Sequence, residues 1–169
     1  MAMDMFLTFD KAAKIKGETV DEKYKKEDGS DVLAWSWGIS NSGSAHMGAG
    51  QGAGKANFQD ISFTKYVDLS SPALMDACAL GTHIPTAKLI VRKAGGKEAL
   101  EYLVFALSEV LVSSYSTGGS GGEDRLTENV TLNFAKVTCD YATQQSKDGT
   151  AGPKSNFGYD IAAHSTKTT

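Results

Sequence analysis

Apolar and polar residues mostly alternate in two stretches, Ile61-Ser62-Phe63-Thr64-Lys65 and Ala87-Lys88-Leu89-Ile90-Val91-Arg92. A period of two marks strands with one buried and one wet face. Between them the punctuation is helical. Ser71 can accept from the first free amides, Pro72 has no N–H to leave unpaired, and Gly81 can take the left-handed conformation that ends a last turn. These signals predict a helix over 71–81, with Leu74 and Cys78 on one face and Met75 and Ala79 on another. A helix of about ten residues is marginal alone in water, so it must dock onto the strands.

The pattern predicts further strands at 5–9, 33–39, 100–115, 129–141 and 157–161. In 33–39 the large residues Leu33, Trp35, Trp37 and Ile39 share one parity, while Ala34, Ser36 and Gly38 leave the other face smooth. The charged run 21–28 reads as a solvated connection, and 93–96 as a hairpin turn. In 100–112 both parities are apolar, Leu100, Tyr102, Val104, Val110 and Val112 against Leu103, Phe105, Leu107 and Leu111. Such a strand needs a second covering layer, and a subunit interface through Leu103, Phe105 and Leu107 is one candidate. In 129–141 the apolar parity changes near Ala135, which predicts a bulge or bend of the kind that closes barrels. About eight strands and one helix in a single domain over 1–169 give a mainly β fold: an antiparallel β-barrel of two sheets flanked by one α-helix.

Residues 40–57 break the periodicity. The stretch is too rich in Gly, Ala and Ser to order itself, and loops of this length are usually functional or disordered. It is expected to be a flexible loop, with Ser44, His46, Gly48, Gly50, Gly52 and Gly54 as its candidate contact residues.

Composition narrows the classes. The chain has 169 residues, with 17 basic against 20 acidic side chains and a net charge of −3, so there is no basic excess to grip a phosphate backbone. No apolar run approaches the ~20 residues of a membrane span, and the N-terminal stretch lacks the basic-then-apolar order of a signal peptide. Export, if it occurs, must use a route that reads no such signal. Cys78 and Cys139 read as buried thiols, and His46, His83 and His164 lack zinc-site spacing. No metal or cofactor is expected.

Two motifs carry chemistry only on paper. Gly48-Ala49-Gly50-Gln51-Gly52-Ala53 resembles a dinucleotide fingerprint, but a strand rather than a helix follows it, and Ala56 after Lys55 lacks the hydroxyl of a P-loop. Gly118-Gly119-Ser120-Gly121-Gly122 matches a nucleophile elbow, with Asp160 and His164 downstream, yet it too leads into a strand. Glu123, Asp124, Arg125 and Glu128 form an acidic turn paired to an arginine more readily than a catalytic cluster.

Several blocks together resemble one family. They are Leu33-Ala34-Trp35-Ser36-Trp37-Gly38, the stretch 58–68, the Ser71-Pro72 helix start, 91–96, and above all 112–137 with its Ser-Thr-Gly-Gly-Ser-Gly-Gly-Glu-Asp-Arg-Leu-Thr-Glu-Asn core. They resemble the Hcp family, the haemolysin-coregulated tube subunits of bacterial type VI secretion. The resemblance implies homohexameric rings that stack into a tube, tipped by the VgrG spike and enclosed by a contractile sheath. It implies effectors carried in the lumen and export from the cytoplasm to the outside by that system. The expectation is a non-enzymatic structural subunit; the alternative is a ligand- or carbohydrate-binding β-sandwich module.

Overall fold

The computed structural model describes residues 3–43, 54–93, 99–144 and 151–166. In chain order the elements are β1 (Met3–Phe9), β2 (Ser30–Ser36), β3 (Ile39–Asn41), β4 (Ala56–Phe58), β5 (Ile61–Tyr66), α1 (Ser71–Leu80), β6 (Ile84–Lys93), β7 (Leu100–Gly118), β8 (Thr127–Gln144) and β9 (Ala151–Asp160). Strands pair antiparallel in the order β5-β2-β1-β6-β7-β8-β9. The first half of β8 also pairs with β5, from Ile61↔Leu132 to Tyr66↔Thr127. That seam closes six strands into a barrel and leaves β9 as a free edge along the second half of β8. β3 and β4 form a separate two-stranded ribbon. Among the described residues no helix is long and apolar enough to cross a membrane.

The barrel core gathers Leu7, Phe63, Leu74, Ile84, Leu89, Leu107, Val110, Val130 and Leu132. β7 and β8 change their inward parity together. Phe105 and Leu107 point in, then Val110 and Val112; on β8, Val130, Leu132 and Phe134 point in, then Val137. The switch falls between the pairs Ser108↔Lys136 and Val110↔Phe134, where Glu109 holds a left-handed φ of 54°. A bend that consumes one residue in each strand keeps the register while turning the other parity inward.

This bend corrects the candidate interface. Phe105 and Leu107 are buried in the protomer's own core and Leu103 is half-buried against it, so the first two cannot meet a partner. The second apolar parity of 100–112 is the same face continued past the bend. Val104 does face out, onto a small outer cluster of Phe6, Tyr24 and Ile90.

The stretch before β2 differs from the expected solvated connection. Ile15, Thr19 and Tyr24 are buried, and Tyr24 stacks on Phe6 at 4.4 Å. Arg92 lies over the Phe6 ring and bonds Asp21 at 2.5 Å, which holds the Asp21 carboxyl below its ordinary value. Residues 10–29 are therefore a strap across β1 and β6, with Ile15 reaching the main core and Tyr24 packed on the outer side.

Two local expectations shift. A register irregularity between Val32 and Ala34 sends Val32 inward and leaves Leu33 40% exposed. Beyond it Trp35 and Trp37 do meet the core, with ring centroids 5.3 and 5.5 Å from Phe105. The helix N-cap is Ser70 rather than Ser71, whose Oγ instead accepts from the Asp68 N–H at 3.0 Å. At the other end Gly81 takes φ 62° and its N–H bonds Ala77 O. Ser71, Leu74 and Ala77 are the buried face, and Leu74 alone stabilises the docking by roughly 1.5–3 kcal/mol.

Candidate assembly surfaces

Two rows on the outward parity of four neighbouring barrel strands carry no charge. Where β2, β5, β8 and β7 lie side by side, one row reads Ala34, Thr64, Asn129, Ser116 and the next Ser36, Ser62, Thr131, Ser114. Hydroxyls and amides bond across the strands: Ser62 Oγ to Thr131 Oγ1 at 3.1 Å, and Thr64 Oγ1 to Asn129 Oδ1 at 2.7 Å. Asp60 closes the margin, accepting from Ser113 Oγ at 2.7 Å and Asn133 Nδ2 at 2.8 Å. The smooth face read from Ala34 and Ser36 thus extends over four strands. Its other members escaped sequence reasoning because strand neighbours are not readable from one strand's alternation.

Directly beneath, on the inward parity of the same strands, sits a buried ionic group. Lys65 Nζ, fully enclosed, lies 2.6 Å from Glu128 Oε1 and 2.8 Å from Asp68 Oδ1, and donates to Tyr66 O at 3.0 Å. Tyr115 OH donates to Glu128, and Ser30 Oγ to Asp68 Oδ2 at 2.7 Å. Burial alone would raise the Asp68 pKa; the bonds from Lys65, Ser70 and Ser30 outweigh it and hold that carboxyl below its ordinary value. Burial, then the Glu128 bond, pushes the Tyr115 phenol up to about 12. The group joins β5, β7, β8, β2 and the helix entry at the seam that closes the barrel. It is a clasp, with Lys65 and Glu128 fully buried.

The other singled-out residues do not converge. Ser120 is exposed in the turn between β7 and β8, whereas Asp160 pairs with Lys136, about 30 Å farther along β8. The hydrolase arrangement is not assembled. Arg125 lies over the Tyr66 ring at 3.9 Å, while Glu128 belongs to the clasp. His83 pairs with Glu109 at 3.2 Å on the surface, and Cys78 and Cys139 are half-buried free thiols. Among the described residues no three His, Cys, Asp or Glu side chains gather as a metal site. Of the loop residues, Ser44, His46, Gly48, Gly50 and Gly52 lie outside the described residues. Gly54 is described: a Cβ there would stand 2.3 Å from Ser42 Oγ and 2.4 Å from Ser42 O, so glycine is required where the chain passes Ser42.

Exposed apolar side chains mark the two ends of the barrel. Past the end of β5 lie Val67 and Leu69, with Leu126 beside them through the Val67 N–H to Leu126 O bond of 2.9 Å. At the opposite end, where β7 begins and β8 finishes, Tyr141 is 44% exposed beside a hollow of about 600 Å³ lined by Val104, Ala142 and Lys154.

A family model described as "Type VI secretion system effector, Hcp" matches residues 6–141. The chain is 58% identical over 161 residues to Protein hcp1 of Pseudomonas aeruginosa, covering 95% of this chain and 96% of that one. A crystal structure of Hcp1 from Salmonella typhimurium superposes with a TM-score of 0.77 at 36% identity, covering 97% of this chain and 98% of the other. A type six secretion system protein superposes with 0.88 at 30% identity, covering 98% and 100%. With the barrel, the single docked helix and the matched blocks in agreement, the chain belongs to the Hcp family of the type VI secretion system.

Proposed function

We propose that the protein is the structural subunit of a type VI secretion inner tube. It forms homohexameric rings that stack, carries effectors through the central lumen, and is exported with the VgrG spike from inside the contractile sheath. It catalyses no reaction. The observation that carries this reading is the uncharged hydroxyl and amide face across β2, β5, β8 and β7. A wall that must pass unlike cargoes benefits from being wet yet without fixed charges that would hold any one of them, and this face meets both conditions. Six such faces turned inward would line a channel.

The β3–β4 ribbon pairs Ser40 with Asn57 and Asn41 with Ala56 and so narrows the expected loop to 42–55; that loop belongs to the same proposal, with Ser44, His46, Gly48, Gly50, Gly52 and Gly54 contacting the neighbouring ring. Ordering such glycine-rich chain costs on the order of 1 kcal/mol per residue, which keeps each contact weak, while six copies per junction add up through avidity. Light scattering with negative-stain imaging tests the core of the proposal. The expected result is a mass of several subunits and particles with a central hole. A clean monomer mass at high protein concentration would overturn it.

A further inference from the structure

We infer that the hollow on the outer face of β7, β8 and β9 binds a small zwitterion with an aliphatic body, an amino acid or a short peptide. Strand register places this hollow. One outward row runs Phe6, Ile90, Val104, Asp140 and Asn156 across β1, β6, β7, β8 and β9. Tyr24 of the strap covers its beginning, stacked on Phe6 at 4.4 Å and packed with Ile90. Past Val104 the row is bare, with Asp140 and Asn156 exposed. In the next row Ala142 faces Lys154. The hollow belongs to the second half of β8, beyond the bend at Glu109, so it is separate from the uncharged rows over the first half.

The strap reaches the rim, where Lys23 and Tyr24 both bond Glu101. Val104 and Ala142 make an apolar floor, and Asp140, Asn156 and Lys154 stand around it. The hollow measures about 600 Å³. Small-molecule sites occupy roughly 300–1,000 Å³ and combine an apolar lining with a few polar groups that fix orientation.

The charges select the ligand. Glu101 is already taken up by the strap, whereas neither Asp140 nor Lys154 has an ion-pair partner among the described residues. They hold diagonal positions on one face, since Asp140 pairs with Asn156 and Lys154 lies two residues away. Diagonal neighbours on adjacent strands stand about 7–8 Å apart, which leaves one free anion and one free cation on either side of the floor. A phosphate or other polyanion would meet the Asp140 and Glu101 carboxylates, and a polyamine would meet Lys154. A zwitterion meets neither objection: its ammonium goes to Asp140, its carboxylate to Lys154, and its aliphatic body onto Val104 and Ala142. The Asn156 carboxamide both donates and accepts, which suits a peptide group between the two charges.

Saturation-transfer NMR on the unmodified protein tests the site, with leucine and leucyl-leucine titrated to ~10 mM. Saturable binding of at least one is expected; leucine alone assigns the site to free amino acids, leucyl-leucine alone to short peptides. Leucinamide lacks the carboxylate and N-acetyl-leucine lacks the ammonium. Each should bind about tenfold or more weakly than leucine, because each gives up one charge-assisted bond. The same loss should follow on the protein side. Asp140→Asn should weaken leucine about tenfold and leave N-acetyl-leucine unchanged, while Lys154→Met should weaken leucine and leave leucinamide unchanged. A structural defect would weaken all the ligands together. No saturable binding of leucine or leucyl-leucine, or equal binding of the doubly blocked N-acetyl-leucinamide, overturns the inference. So does binding that ignores both substitutions. The tube reading stands or falls separately, on the mass and shape of the particles.

Discussion

β5 and β8 present two surfaces that invert the usual distribution of charge. Inside, Lys65, Glu128 and Asp68 are packed beneath the seam; outside, on the next residue of each strand, only hydroxyls and amides appear. A buried pair of ions gains Coulomb energy in the low-dielectric interior but loses hydration, so it is a poor way to add stability and a good way to penalise wrong pairings. Slipping β5 by one residue against β8 would turn Lys65 off the inward parity and strip it of Glu128. The exterior rows have no such stake, because water can replace any hydroxyl bond that is lost. The comparison assigns register to the inner face and leaves the outer face free to serve a different purpose.

The largest effect should come from breaking the inner pair on one side. Glu128→Ala leaves a fully buried ammonium with Asp68 alone and should cost about 3–5 kcal/mol in urea unfolding. Replacing both partners, Lys65→Met with Glu128→Leu, should recover most of that loss, since no uncompensated ion remains. If Glu128→Ala costs less than about 1 kcal/mol, the clasp does not hold the seam and the comparison fails.

Next in size is the response to acid. The Asp68 carboxyl is depressed below its ordinary value of 3.8, so its contribution to the folded state is fully present above that unfolded-chain value and is lost as pH falls through the lower folded value. Stability should therefore drop steeply below about pH 4, and Asp68→Asn should flatten that limb while lowering stability at neutral pH. The Tyr115 phenol behaves oppositely. Raised from 10.0 to about 12, it supports the fold fully below pH 10 and stops doing so as pH rises through 12. Tyr115→Phe should remove that alkaline step and cost about 1–2 kcal/mol at neutral pH, checked by denaturant titrations across the range.

Much of this was legible in the residues, and the failures have identifiable causes. The parity of Ile61, Phe63 and Lys65 already put a lysine on the inward face of β5, and Glu128 shares the parity of Val130 and Leu132. A lysine and a glutamate each out of place on core parity signal a buried pair, but only strand adjacency says that they meet. The helix stop at Gly81 and the parity change near Ala135 were readable because each is written in the local sequence. The bend at Glu109 was not, since a glutamate carries no preference for φ 54°; without it, one continuous core face looked like two. The strap was hidden by its own charges. Tyr24 stands alone in a run of lysines and acids, and its burial depends on Phe6 and Arg92 from other strands.

The smallest effect on stability should come from the outer rows, and it sharpens the comparison most. Ser36 is exposed and has no hydrogen-bonded side-chain partner among the described contacts, so Ser36→Lys should change unfolding free energy by no more than about 0.5 kcal/mol. If the face lines a channel, six added lysines would place a ring of positive charge on a wall that has none. The ring should still assemble with unchanged mass, because like charges spaced around a wide water-filled opening repel weakly across more than a Debye length. Effector export should fall, most for basic cargoes, while an exchange to Ser36→Ala should leave it unaltered. A ring that dissociates with lysine but survives with alanine would instead place this face against another subunit. The uncharged rows would then be an interface and not a wall.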